Sequence, residues 1–359
     1  MTQKNFNDMK AIDALWIANL ISVGPFVFQA VKSMKDLGIM DALSVCKSNE
    51  GKTKVALATE TKQSYYTVSV LLDLAETADV VIKLADNSYQ LSKVGIYLND
   101  DLMTKVNFNF TADVCYQGLE KLTESLTSEK PVGLEVFTKD EQTIYPFLSR
   151  LPSKAKESWF AFDHFYSDHV FERALEILFS KHKYQHIYDI GGNTGKFAMS
   201  ATSFDKDVKV TIIDLKEQCA LANENIKANS LENRISTYPT NVLAPNFTLP
   251  HDADLWWMSQ FLDCFNQEQI ESILKTVYDS MNDDATLVIN EIFGDRQKND
   301  IAKLVIEANS LYFTALANGV SRFYHYDEFI ALVNKIGFKL EAIHDYLGMG
   351  HTLLVLKNN

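Results

Sequence analysis

Cysteine is scarce in this chain and nowhere clustered. Four of 359 residues are cysteine, at Cys46, Cys115, Cys219 and Cys264. They lie far apart, with no CxxC pair and no Cys/His group. A disulfide scaffold and a structural zinc site are thereby excluded, and a reducing cytoplasm is the expected setting. Positive charge is also short: 34 Lys and Arg stand against 47 Asp and Glu, a net −13 at pH 7. A surplus of that sign repels a phosphate backbone, which argues against a general nucleic-acid binder and leaves small neutral or cationic ligands.

Repeats and low-complexity tracts are missing too. The start, Met1-Thr2-Gln3-Lys4-Asn5, lacks the basic-then-apolar layout of a signal peptide. One uncharged stretch, between Asp13 and Lys32, has the length of a membrane span. However, Asn19, Ser22 and Gln29 interrupt it, and Gly24-Pro25 breaks it. The pattern predicts two apolar helices buried against protein, with Pro25 in the first turn of the second. Apolar helices of this kind suit burial against a partner subunit, so a homodimer is expected and membrane insertion is not.

What is present is globular: 47% apolar and 23% charged residues, at a length that suits about two domains. The first part, residues 1–105, reads as helices with one hairpin. A helix runs from Pro25 to Leu37 and stops at Gly38; a short one covers Lys54 to Thr59. A longer one spans Ser64 to Thr77, with Ser64 as cap. Val80 to Leu84, a turn at Asp86-Asn87, and Tyr89 to Leu91 complete a winged-helix order. A DNA-reading helix brings cations to the groove. Ser64 to Thr77 has none, but carries Asp73 and Glu76, so it is read as a packing element. A winged-helix DNA regulator is the rival from another class.

Residues 106–182 read as a helical linker that contributes to a substrate pocket. From 183 to 359 the pattern alternates. Strands are predicted at 187–190, 208–213, 253–258, 285–289 and 351–356. Helices are predicted at 216–229, 267–281, 301–316 and 326–336. Strand–helix alternation means an α/β domain, a largely parallel sheet with helices on both faces.

The strongest motif is Tyr188-Asp189-Ile190-Gly191-Gly192-Asn193-Thr194-Gly195-Lys196, which follows a strand and opens a helix. Glycines there let a ligand approach the backbone, and Asn193 tolerates a left-handed conformation. Gly191, Gly192 and Gly195 do not fit a dinucleotide fingerprint, and Asp189 would repel a pyrophosphate while suiting a cationic amino group. Asp214 ends the next strand, at the spacing of an acid that holds ribose hydroxyls. Separately each motif has a structural explanation; together they predict a nucleoside pocket.

Asp189 to Gly195, Asp214-Leu215 and the segment from Asp254 to Lys275 resemble the S-adenosylmethionine-dependent small-molecule O-methyltransferases of secondary metabolism. That family also carries an N-terminal winged-helix dimerisation domain, so the likeness spans nearly the whole chain. It implies a Rossmann-like methyltransferase domain, S-adenosylmethionine as donor, and a small phenolic or conjugated hydroxyl as acceptor. It also implies a homodimer in which the N-terminal helices of one subunit help close the other's acceptor pocket. No metal is implied.

By position, Gly191 and its neighbours would line the methionine part of the donor and Asp214 would take the ribose. Asn241 and Val242 fall where the family has an Asp and a hydrophobic residue at the adenine. Ser259 stands where Lys is common, and Phe265 where a Trp covers the adenine. Phe162, Tyr166 and Ser167 match a segment touching donor and acceptor. Trp257, Phe313 and His325 fall among groups that would wall the acceptor.

The chain departs from the family at the base. Asp263 occupies the position of the proton-accepting His, and Glu291 matches one of two acids that orient it. Burial beside Glu291 would raise the Asp263 carboxyl toward the pKa such a role needs. The competing explanation makes Asp263 the cap of the helix near Asn266. His325 is the alternative base among the histidines, which include His164, His251 and His351. Loss of His also admits a second outcome, an enzyme that binds the donor but has altered or lost methyl transfer.

Overall fold

The computed structural model describes residues 9–47, 50–167 and 169–358. The chain divides into two compact units, Met1–Ala112 and Asp113–Asn359.

The first unit holds helices α1 (Ala11–Ser22), α2 (Gly24–Asp36), α3 (Ile39–Ser44), α4 (Lys54–Thr61) and α5 (Tyr65–Thr77). The hairpin β1 (Val81–Lys83) and β2 (Tyr89–Leu91) follows, then α6 (Lys93–Asp100) and α7 (Leu102–Phe110). Ser64 caps α5 by accepting the Thr67 N–H at 3.0 Å. Gly38, at φ +74°, supplies the left-handed turn between α2 and α3. Val31, Met34, Leu43, Leu57, Val68 and Leu72 fill the core with Val81 and Tyr89 of the hairpin. The expected helix–helix–wing order is present.

The apolar stretch folds as α1 and α2, bent 65° apart at the predicted break. Among the described residues no single helix is long and apolar enough to cross a membrane. Burial of this stretch differs from expectation: α1 has no buried residue, and Ile12, Leu15, Trp16 and Ile21 are exposed.

The second unit is built on a seven-stranded sheet ordered β5-β4-β3-β6-β7-β9-β8. Its strands are β3 (His186–Ile190), β4 (Lys209–Asp214), β5 (Ile235–Pro239), β6 (Leu255–Ser259), β7 (Thr286–Glu291), β8 (Lys339–Leu347) and β9 (His351–Lys357). The first five run parallel and the last two close the edge antiparallel. Between them come α11 (Lys196–Phe204), α12 (Lys216–Ala228), α13 (Gln267–Ser280), α14 (Asp300–Tyr312) and α15 (Tyr326–Ile336); α8 (Leu122–Ser128), α9 (Ser153–Ser167) and α10 (Phe171–Phe179) precede the sheet.

Alternating residues of each parallel strand feed two cores, because helices cover both faces. Tyr188, Ile190, Trp256, Met258 and Ile289 pack with Ile270, Ile273, Leu274 and Val277 of α13 and with Phe329 and Val333 of α15. Ile187, Val210, Ile212, Trp257 and Val288 pack on the other side with Leu175, Phe197, Ala201, Ala222 and Ile226. Strand order reverses at β3, with β4 and β6 on either side of it. That reversal opens a crevice at the carboxyl ends of the strands, where such sheets take ligands.

Candidate active site

At that crevice the glycine loop is held by short backbone links. Gly191 N–H donates to Ile213 at 2.8 Å, and Gly195 N–H to Gly192 at 2.8 Å. Gly191 (φ +76°) and Asn193 (φ +47°) adopt the left-handed backbone. A Cβ on Gly191 would lie 2.3 Å from the Phe261 ring, so only glycine leaves the loop and that ring in place. Asp214 ends β4 and fixes the loop from below. Its Oδ2 accepts the Asn193 N–H at 2.8 Å and its Oδ1 the Leu215 N–H at 2.7 Å. Each oxygen keeps a lone pair for a further donor.

A cavity of about 470 Å³ opens here. It is lined by Gly191, Asn193, Asp214, Leu215, Asn241, Val242, Phe261, Asp263 and Phe265 among others, and continues to Tyr145, Trp159, Phe162, Asp163, Tyr312, Phe313 and Phe323. The segment after β6 joins the two ends. Phe261 packs on the glycine loop, while Cys264 receives a hydrogen bond from Tyr145 and its carbonyl accepts one from Asn318 at 2.9 Å.

Asp263 sits in this segment, 5% exposed. Burial pushes its carboxyl up to about 7; the Asp163 charge adds to the rise, and a hydrogen bond from the Cys264 thiol opposes it. The helix-cap explanation fails, because Asn266 and Gln269 form the capping box of α13. Glu291 does not line the cavity. Its Oε1 accepts the N–H groups of Phe261 and Leu262 at 3.0 and 2.9 Å, which holds the turn carrying Asp263. Burial raises the Glu291 carboxyl well above its ordinary value, and Asp263 adds to the rise.

Several sequence-predicted positions lie elsewhere. Asp189 is beneath the loop, 2% exposed, against the position a Gly192 Cβ would take. Burial there raises its carboxyl to about 8. Gly192 and Gly195 shape the loop from outside the cavity; Gly195 starts α11 at φ +85°. Ser259 accepts a hydrogen bond from Asn290 at 2.8 Å. Ser167 and Tyr166 end α9 outside the cavity lining; the Tyr166 ring packs on Phe162 and Phe165.

Trp257 requires correction as an acceptor wall. It is buried in the sheet and stacked on Phe197 at 4.1 Å, because a mid-strand residue faces a helix layer. His325 precedes α15 and pairs with Glu307 at 2.8 Å, away from the lining. His251 bonds the Ser280 carbonyl at 3.0 Å. His351 is enclosed in β9, where burial holds its imidazole down at about 3.

Sequence reasoning missed Tyr145, Trp159, Asp163 and Gln260. The three residues Trp159, Phe162 and Asp163 form one face of α9, but the sequence does not say which face of α9 meets the cavity. Gln260 leaves β6 with a left-handed backbone, φ +47°, a conformation that costs energy outside glycine and concentrates at functional sites.

Fold and cavity together define a Rossmann-like nucleoside-binding enzyme. Residues 166–339 fit the description of an O-methyltransferase domain, and residues 16–89 that of a Dimerisation2-like domain. The chain is 22% identical to L-tyrosine C(3)-methyltransferase of Streptomyces lavendulae, over 90% of this chain and 86% of that protein. It is 30% identical to 3-hydroxy-5-methyl-1-naphthoate 3-O-methyltransferase of Streptomyces sahachiroi, over 32% of each chain. Among solved structures, mitomycin 7-O-methyltransferase MmcR superposes with a TM-score of 0.69 at 19% identity, covering 96% of this chain and 98% of that one. The methyltransferase SibL superposes at 0.68 and 17% identity, covering 94% and 98%. The chain thus carries an O-methyltransferase domain together with a Dimerisation2-like domain, and its methyl donor is S-adenosylmethionine, the ligand held by the structural neighbour NcsB1.

The residues present fit that donor. Gly191 presents bare backbone to the cavity with the Phe261 ring packed against it, Asp214 offers acceptor lone pairs at the strand end, and Phe265 supplies an aromatic wall. Asn241 already accepts the Leu243 N–H at 2.9 Å through its Oδ1 and retains one lone pair on that oxygen.

Proposed function

We propose that the enzyme methylates a hydroxyl on a small aromatic or conjugated acceptor, with Asp263 as the base that takes the hydroxyl proton. One observation carries the reading. The cavity is continuous from the glycine loop and Asp214 to an aromatic end, and Asp263 lies on the segment that touches both.

S-adenosylmethionine, when bound, supplies an activated methyl group on a sulfonium centre. The chain's own residues bind, orient and accept the proton. Gly191, Asp214, Leu215, Asn241, Val242 and Phe265 form the donor end. Phe162 and Phe313, with Trp159 and Tyr312, form the acceptor end. Asp189, Gly192, Gly195 and Ser259 shape the loop and strand ends from behind, and Ser167 and Tyr166 close α9. A carboxyl near 7 is half ionised at neutral pH, so Asp263 is matched to proton transfer there. Orientation of nucleophile and donor supplies the larger share of rate, up to about 7–11 kcal/mol in well-oriented systems.

The remaining organisation follows the same reading. Residues 1–105 are the winged-helix dimerisation domain, 106–182 the helical part that supplies α9, and 183–359 the donor-binding domain. The exposed apolar face of α1 supports a homodimer. Free, dispersed cysteines support a cytoplasmic setting.

Incubation with S-adenosylmethionine and a panel of phenols, read by mass spectrometry, tests the function. The expected result is a mono-methylated phenol and loss of about 100-fold or more in kcat for Asp263→Asn. Donor binding without product from any phenol would favour the alternative, a same-fold enzyme that has lost the transfer. That alternative draws on one fact: among the described residues no His lines the cavity.

A further inference from the structure

Charge in the cavity is one-sided. Asp163, Asp214 and Asp263 line it, and among the described residues no Lys, Arg or His does. At the end where Asp163 and Asp263 lie, a carboxylate or phosphate on the acceptor would therefore meet carboxylates that repel it and no cationic partner.

Two donors at the acceptor end are already engaged within the protein. Both hydrogens of the Asn318 amide are engaged, by the Cys264 carbonyl at 2.9 Å and the Ser321 hydroxyl at 2.7 Å. Its Oδ1 accepts the N–H groups of Val320 and Ser321. The Trp159 indole N–H is spent on the Tyr312 oxygen at 2.8 Å. Acceptors, by contrast, are in supply. Gln260 keeps a buried Oε1 with no partner in the protein.

Asp163 is placed to use this. It shares a face of α9 with Trp159 and Phe162, and Tyr312, Phe313 and Phe323 line the same cavity. Its charge reaches both Asp263 and Tyr312, raising each. A carboxylate set among aromatic faces is the arrangement that holds an alkylammonium group, since ring faces attract cations and a carboxylate pairs with them.

We infer that Asp163 is a specificity-determining residue, and that the acceptor carries a protonated amine beside its aromatic ring. This rests on the reading of the cavity as an acceptor site and names the acceptor's class. The ammonium pairs with Asp163 among the aromatic walls, which leaves Asp263 for the hydroxyl.

Three phenols that share a two-carbon side chain and differ in the group that ends it test it: tyramine with an ammonium, 4-ethylphenol with none, and 3-(4-hydroxyphenyl)propionate with a carboxylate. Each is titrated calorimetrically into the free enzyme and into its complex with S-adenosylhomocysteine. Tyramine is expected to bind about tenfold more tightly than 4-ethylphenol, and the propionate more weakly still. Asp163→Asn is expected to cut the tyramine advantage to about twofold, and Asp163→Glu to keep it. Affinity for S-adenosylhomocysteine itself is expected to stay within about twofold in both variants.

Equal affinities, a preference for the propionate, or no tyramine binding at millimolar concentration overturns the inference. An unchanged order in Asp163→Asn removes Asp163 from the role. Failure of S-adenosylhomocysteine to bind would instead strike the enzymatic reading, and the free-enzyme titrations separate the two.

Discussion

In the proposed mechanism Asp263 would act through its surroundings more than through its identity. A free aspartate is far too weak a base for a phenol, with a gap of about 6 pH units between them. Burial removes about half of that gap by raising the carboxyl to about 7. Only the ionised carboxylate accepts a proton, so kcat/KM should rise with pH through about 7 and level above it. In Asp263→Asn that limb should vanish along with most of the rate, as steady-state rates from pH 5.5 to 9 would show. Glu291 acts differently, by holding backbone. Glu291→Gln keeps an oxygen for the Phe261 and Leu262 N–H groups and should retain kcat within about threefold. Glu291→Ala leaves both donors bare and should lose about 30-fold or more. Equal losses in the two would show that the Glu291 charge, not its grip on the turn, matters.

At the scale of elements, legibility followed burial. Strands β3, β4, β6, β7 and β9 are continuous apolar runs because helices cover both faces of the sheet, and they stand out in the sequence. β5 and β8 form its two edges, with exposed and half-buried positions mixed along each, and neither run marks itself as a strand. The same covering misled the reading of Trp257: aromatic content points to a ligand wall, whereas strand alternation sends Trp256 and Trp257 into opposite cores. Asp263 was legible because it falls where the resembled family has its His after the fourth strand, while Asp163 depended on the rotation of α9. Helix α1 gives the element-scale prediction. Its apolar side chains touch no core, so Ile12→Asp with Trp16→Asp should leave the circular dichroism spectrum and thermal midpoint nearly unchanged. Sedimentation should show the wild type as a dimer and the double variant as a monomer. A variant still dimeric would place the interface elsewhere.

For the whole molecule, buried acids set the response to pH. Asp189 and Asp263 titrate at about 8 and about 7 when folded and near 4 when unfolded. Between those values the folded chain binds more protons, so stability is full at the acid end and is lost as pH rises, by up to about 1.4 kcal/mol per unit for each group. His351, held near 3 against an ordinary 6.5, works the other way: its stabilising effect is lost as pH falls below about 6.5 and is constant above it. The net decline should therefore be steepest between about 6.5 and 7 and end near 8, where Asp189 has also ionised. Calorimetry of the free protein should give a lower midpoint at pH 8.5 than at pH 6.5, and Asp189→Asn should flatten the difference. A midpoint that rises over that interval would mean these acids are ionised in the fold.

The sheet's two borders bear on how such molecules meet. One is β5, five residues long and finished by Pro239; the other is β8, whose pairing with β9 slips at Leu340/Ala342 and at His344/Leu347. A proline and two bulges spoil the regular ladder that a neighbouring strand would need to dock. The large sheet thus offers copies of this chain a poor template for the strand-to-strand growth that builds fibrils. An interface on helical surfaces, as predicted for α1, would let side-chain fit tell a proper companion from a chance one, which main-chain pairing cannot do.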